Sequence, residues 1–292
     1  MLRDIRQFAR ELRDADPFTF GLLDCKGILK EAQGAFPAGL AFVFRVPPTH
    51  PHPESLRGRL LGGADRAHGS LSERLALAQQ IAAAVSAVHL YGFVHKNIRP
   101  ETILLFRQSL GEGGAGAGSE TAALVGFDVL REAEGRTRRM GDADWERNLY
   151  RHPQRQGLAL EFDYEMRHDI YSLGVCLLEI GLWASFVGYH RDSAGVSGLG
   201  PGLSVLGEDM SGPKLMKNPE QVREGLLQLA RSPPLRRQMG TLCARVVETC
   251  LTCLDTDNVD FGDDKEFQDE DGVAVGVWYI DKVVVRLGEI NA

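Results

Sequence analysis

The stretch His95-Lys96-Asn97-Ile98-Arg99-Pro100-Glu101-Thr102 brings an imidazole, an amide, a guanidinium and a hydroxyl together just ahead of the apolar run Ile103-Leu104-Leu105. Asn97 can hydrogen-bond a substrate hydroxyl but cannot take its proton, so it can orient a reactant without acting as a base. Arg99 adds a permanent positive charge on a planar fork. Thr102 offers only a neutral hydroxyl. Further on, the apolar Ala122-Ala123-Leu124-Val125 delivers Gly126-Phe127-Asp128, in which Asp128 alone has the hard oxygen ligands that a divalent cation needs. The residue types favour positioning over proton transfer.

The order and spacing of these residues resemble the protein kinases. Kinases read H-R-D-x-K-P-x-N before an apolar strand, where the Asp accepts the substrate proton and the Asn holds magnesium. Asn97 stands at the Asp position, Arg99 at the Lys position and Thr102 at the Asn position. Gly126-Phe127-Asp128 resembles D-F-G with the Phe in register, and Tyr150-Arg151-His152-Pro153-Gln154 sits where kinases place A-P-E. Asp169-Ile170-Tyr171-Ser172-Leu173-Gly174-Val175 resembles the start of the long buried F helix. Together these motifs cover most of residues 40–190. The wording HKNIRPETILL, YRHPQRQG and DIYSLGVCLLEIGLW most resembles the pseudokinase-type domains of filamentous fungi found behind HeLo-type prion-inhibition and propagation domains.

The resemblance implies specific roles. His95, Phe127, Pro153 and Asp169 match positions whose family role is architectural, with His95 and Phe127 packed in a column and Asp169 holding the catalytic-loop backbone. Asn97 is expected to face an open cleft, and Arg99 keeps the charge a kinase lysine aims at the transferring phosphate. Gly126 and Thr102 remove both magnesium-holding positions, so no cofactor and no metal are expected. ATP with magnesium belongs to the alternative in which a slipped register makes Asp128 the metal ligand, at the cost of moving Phe127 from its slot beside His95. The one glycine pattern of phosphate-cradle type, Gly111-Glu112-Gly113-Gly114-Ala115-Gly116, lies between two short strands and reads as a hairpin loop.

Elements that place these residues are legible from periodicity. Leu2, Ile5, Phe8 and Leu12 predict a helix over 1–15, stopped by Pro17. Leu22–Leu29 and Leu40–Val46 read as a hairpin, with a hinge at Pro47-Pro48. Ser70 and Glu73 form a capping box ahead of the stripe Leu71, Leu75, Ala78, Ile81, Val85, Val88. The run Ile170–Tyr189, interrupted by Glu179, reads as a buried helix, with no transmembrane segment. A long Gly/Ser-rich surface loop is expected over 191–213, then helices over Pro219–Ala230 and Gln238–Leu254, and over Gly272–Leu287 a closing helix or, from its β-branched residues, a strand. The fold expected is α+β and kinase-like: residues 1–47 as a remnant N-lobe with the C helix and a β-hairpin, and residues 48–292 as a mostly helical C-lobe. On that template the first three strands would precede Met1.

Composition narrows the partners. The chain has 292 residues, 43% of them hydrophobic, enough for a sizeable core, and a net charge of -7 gives no support to nucleic-acid binding. Five cysteines read as free thiols of a reducing compartment, and Cys250-Leu251-Thr252-Cys253 as core. The segment Asp255–Asp271 fails the EF-hand pattern at Val259 and Asp260 and reads as a solvated acidic loop. Arg136, Arg138 and Arg139, followed by Arg147, Arg151 and Arg155, are either solvated charge or a dock for an acidic or phosphorylated protein segment. The expectation is a cytoplasmic pseudokinase acting as a signalling or interaction module. Its alternatives are an unusual active kinase and a truncated structural relic.

Overall fold

A computed structural model describes residues 2–30, 40–62, 69–108, 120–127, 131–132, 140–142, 144–159, 163–189, 197–206, 217–261 and 279–290. In chain order they form α1 (Leu2–Glu11), α2 (Pro17–Phe20), β1 (Cys25–Lys30), β2 (Leu40–Phe44), β3 (Pro53–Ser55), α3 (Leu56–Leu61), α4 (Leu71–Leu90) and β4 (Phe93–Val94). Next come β5 (Ile103–Arg107), β6 (Glu120–Leu124), β7 (Arg131–Glu132), β8 (Met140–Asp142), α5 (Trp145–Asn148), β9 (Gly157–Ala159) and α6 (Met166–Leu182). The chain closes with β10 (Val187–Tyr189), β11 (Ser197–Leu199), α7 (Pro219–Ala230), α8 (Pro233–Leu251) and a last helical stretch, Ile280–Val285 into Arg286–Gly288. Small antiparallel sheets beside a helical core make this an α+β architecture.

Helix α4 starts where its capping box dictates. The Ser70 hydroxyl accepts the Glu73 N–H at 3.2 Å, and the Glu73 carboxylate accepts the Ser70 N–H at 2.6 Å. Leu75, Ala78, Ile81, Val85 and Val88 are buried, but Leu71 is 45% exposed and leaves the expected stripe, because it sits in the first turn before the helix reaches the core. Helix α6 is largely apolar and buried along nearly its whole length, which is the pattern of a central helix. Gly174 and Gly181 let α8 approach it. A Cβ at Gly174 would lie 2.7 Å from Cys250 Cβ, and one at Gly181 would lie 2.4 Å from Leu235 Cδ1.

The apolar run expected to be helical through Tyr189 ends sooner. Trp183 closes α6 in the left-handed region at φ 48, and Val187–Tyr189 then pairs with Ser197–Leu199. Residues 197–206 of the expected surface loop are therefore packed against the end of α6 and its continuation. Gly200 N–H donates to Phe186 O at 2.9 Å, Gly202 N–H to Ser185 O at 3.0 Å, and Leu203 is fully buried. Helix α8 begins at Pro233, ahead of the expected Gln238, with a kink at Gly240. Asp260, expected in a solvated loop, is buried, because Arg286 grips both its oxygens at 2.7 Å. Residues 262–278, which hold most of the expected acidic loop and the start of the expected closing helix, lie outside the described residues.

The core is continuous across residue 47: Phe8, Leu12, Leu22 and Cys25 share one cluster with α4, α6 and α8. All five cysteines are free and buried within it. In the β1–β2 hairpin, Phe42 and Phe44 stack 5.7 Å apart and both present edges to Phe127. The three-stranded sheet β3-β5-β6 holds β5 centrally, which fixes the end of the 95–102 loop. Its β5–β6 connection contains Gly111–Gly116 and lies outside the described residues.

Candidate functional site

The loop from His95 to Thr102 is suspended between β4 and β5 and tied down from behind by α6. Asp169, fully buried in the first turn of α6, accepts the His95 N–H at 2.7 Å and the Lys96 N–H at 2.9 Å. Lys96 adopts φ 69, a conformation that costs a non-glycine residue about 1–2 kcal/mol. The same carboxylate accepts from Tyr164 OH at 2.7 Å and pairs with His89 Nε2 at 3.1 Å. Burial alone would raise its pKa. The hydrogen bond and charge of His89, with His95 and the Lys96 N–H, outweigh burial and hold Asp169 below its usual range.

His95 is fully buried and its tautomer is set. Nδ1 accepts the Asn97 N–H at 3.2 Å, so Nε2 carries the proton and donates to Val125 O at 3.0 Å. Its ring meets Phe127 edge-on at 4.8 Å, and Phe127 meets Phe8 of α1 at 4.8 Å. This column joins the loop to β1–β2 and α1. Pro153, half-buried, opens a 3-10 turn over Pro153–Arg155. Arg155, grouped above with surface charge, is buried and lies over the Tyr164 ring at 5.5 Å.

The polar ends of Asn97, Arg99, Thr102 and Gly126 are turned toward one another. Asn97 does not face an open cleft: its Nδ2 donates to Gly126 O at 3.3 Å and its Oδ1 accepts from Arg99 Nε at 3.2 Å. The Thr102 hydroxyl shares its proton between Asn97 O at 2.8 Å and Arg99 O at 2.9 Å, and accepts the Arg99 N–H at 3.2 Å. Gly126 has φ +85, and a Cβ there would lie 2.5 Å from Thr102 Cγ2. The adjoining cavity, lined by Lys96, Asn97, Arg99, Arg147, Tyr150 and Arg151, holds about 10 Å³. That is room for about one water molecule. Magnesium, with its demand for hard oxygen ligands, does not fit Gly126 or the internally bonded Thr102. Asp128, Arg136, Arg138 and Arg139 lie outside the described residues.

One cluster escaped the sequence reading. Arg57 of α3 is buried, with Nη1 on Glu179 Oε1 at 2.7 Å and on Ser185 Oγ at 2.5 Å, Nε on Glu101 Oε1 at 2.9 Å, and Nη2 on the Tyr150 hydroxyl. Tyr150 OH in turn donates to Glu179 Oε2 at 2.8 Å. Burial disfavours the guanidinium charge, but Glu179, Tyr150 and Glu101 more than restore it. The signal was Glu179 itself, a carboxylate inside an apolar helix that demands a buried cationic partner. Among the described residues no helix is long and apolar enough to cross a membrane, and no three or more His, Cys, Asp or Glu side chains group as a metal site.

No family model matches the chain, and no curated protein matches it. Solved structures do. The yeast RNA polymerase II CTD kinase CTDK-1 complex is similar with a TM-score of 0.42 and 17% identity, over 64% of this chain and 52% of that chain. The match spans about half the length of that chain.

Proposed function

We propose that this chain is a degenerate protein kinase homologue that works as a signalling or protein-interaction module and does not transfer phosphate. The observation that supports it most directly is the closed set of hydrogen bonds among Asn97, Arg99, Thr102 and the Gly126 carbonyl. Groups that would have to face a substrate and a metal ion satisfy each other instead. Around them, the Asp169 grip on the loop and the His95–Phe127 column give the loop a rigid frame. On this reading residues 1–47 are a remnant N-lobe and 48–292 the C-lobe.

The finer proposals rest on the wording of the motifs. They place the module in the cytoplasm of a filamentous fungus, in incompatibility or defence signalling linked to prion-inhibition and propagation proteins. The protein partner would carry an acidic or phosphorylated segment that docks near Arg136, Arg138 and Arg139. An active kinase would have to route its metal through Asp128, and a relic would have no use for a buried, fully bonded Asp169.

Incubation with labelled ATP, magnesium and generic protein substrates tests the proposal. No incorporation is expected. Incorporation that disappears in Asp128→Ala would overturn the proposal in favour of the active-kinase alternative.

A further inference from the structure

Two buried imidazoles, His152 and His168, bracket the segment that leads into α6, and their rings lie 6.2 Å apart at 74°. Both perform the same task with the same atom. His152 Nδ1 accepts the Gln154 N–H at 3.4 Å and opens the Pro153–Arg155 turn. His168 Nδ1 accepts the Glu165 N–H at 3.0 Å at the start of α6. A backbone N–H can only donate, so each Nδ1 is unprotonated and each ring carries its proton on Nε2. Neither Nε2 has a hydrogen-bond partner among the described residues.

Burial and neighbouring cations outweigh the Asp169 counter-charge beside His168, and His152 faces a cation. His152 faces Arg223 of α7 and the Tyr171 ring of α6. His168 faces His152, Arg155, Asp169, Glu165 and the Tyr164 ring, and Asp169 already serves the loop, His89 and Tyr164. Burial first, then Arg223 for His152, and burial, His152 and Arg155 for His168, lower both groups to about 3.

We infer that the two imidazoles form an acid-sensitive latch: a proton on Nδ1 turns each cap acceptor into a donor, so acidification releases the 152–156 turn from α6 while the helical core, Tyr150 included, stays folded. Arg151, which directly precedes that turn, borders the cavity beside Asn97 and Arg99, and Tyr164 is bonded to Asp169. Release therefore uncovers the loop that Asp169 holds. An imidazole that titrates near 6.5 when released and about 3 when latched favours release about tenfold between about pH 7.5 and 5.5, and the pair about a hundredfold.

Amide hydrogen exchange on the full chain across that pH range, corrected for intrinsic rates, tests the latch. Protection at Gln154, Arg155 and Glu165 is expected to fall about a hundredfold while α4 and α8 keep theirs. A His152→Asn/His168→Asn chain, whose amide oxygens accept the same N–H groups at every pH, is expected to lose this dependence. An equal loss throughout the molecule, or an unchanged dependence in the double variant, overturns the latch. Ring nitrogen shifts of the wild type near neutral pH give a second reading that does not need the variant to fold: both rings are expected as Nε2–H tautomers, and an Nδ1–H form of either overturns the inference.

Discussion

The Thr102 methyl group fills the space that any side chain at Gly126 would need, since a Cβ there would lie 2.5 Å from Thr102 Cγ2. The two residues are therefore sterically linked. With φ at +85, Gly126 also holds a backbone conformation that a β-carbon makes costly. Restoring a carboxylate by Gly126→Asp is expected to destabilise the chain by about 2–3 kcal/mol without creating phosphotransfer. Adding Thr102→Ser, which removes the methyl, should recover about 1 kcal/mol of that loss. Urea denaturation of the single and double variants measures both, and a neutral Gly126→Asp would mean that the backbone at this position is not held as described.

Asp169 and Asn97 make opposite demands on the loop. Asp169→Ala strands the buried N–H groups of His95 and Lys96 and removes the partner of His89 and Tyr164, so a loss of about 3 kcal/mol or more is expected. Asn97→Asp keeps the acceptor for Arg99 but replaces the donor to Gly126 O with a carboxylate oxygen, for an expected loss of about 1–2 kcal/mol. Comparable small losses for the two variants would show that the loop does not hang from Asp169.

The Arg57–Glu179 pair joins α3 to the last turn of α6, and both side chains are buried. Arg57→Met alone leaves Glu179 buried without its cation, and Glu179→Met alone leaves Arg57 with Glu101 as its carboxylate partner among the described residues. Each is expected to cost about 3–5 kcal/mol, and the double replacement less than the sum, because it removes both buried charges together. Additive losses in the cycle would mean the two groups are not energetically coupled.

Some of this organisation was legible because it rests on local rules. The Ser70/Glu73 box and the apolar period specify α4 directly, and strand-like apolar runs on either side of a Gly/Pro-containing turn specify the β1–β2 hairpin. The loop residues stood out by type and spacing. What could not be read was whom each polar group faces. Asn97 looks available in the sequence and is bonded to Gly126 O, while Asp260 looks solvated and is held by a residue 26 positions away. Arg57 finds Glu179 across 122 positions, a pairing that composition and periodicity do not encode. The break in the apolar run at Trp183 arises from a left-handed backbone that a tryptophan does not announce.

Acid should weaken the fold in two separable steps. His152 and His168 have folded-state pKa values lowered from 6.5 to about 3, so the unfolded chain binds protons that the folded chain refuses in that window. Their contribution is complete above about pH 6.5 and shrinks as pH falls toward 3, by about 2 kcal/mol per imidazole at about pH 5. Asp169 is also lowered, from 3.8, so its contribution is intact above that value and is lost only below it. Stability measured by denaturant titration from neutral to acid pH is therefore expected to fall first through the histidine window and again at the carboxylate. The His152→Asn/His168→Asn chain should lose the first fall and keep the second, and Asp169→Asn should do the reverse. A wild type whose stability stays flat down to about pH 4 would mean that the imidazoles are not held neutral by their burial.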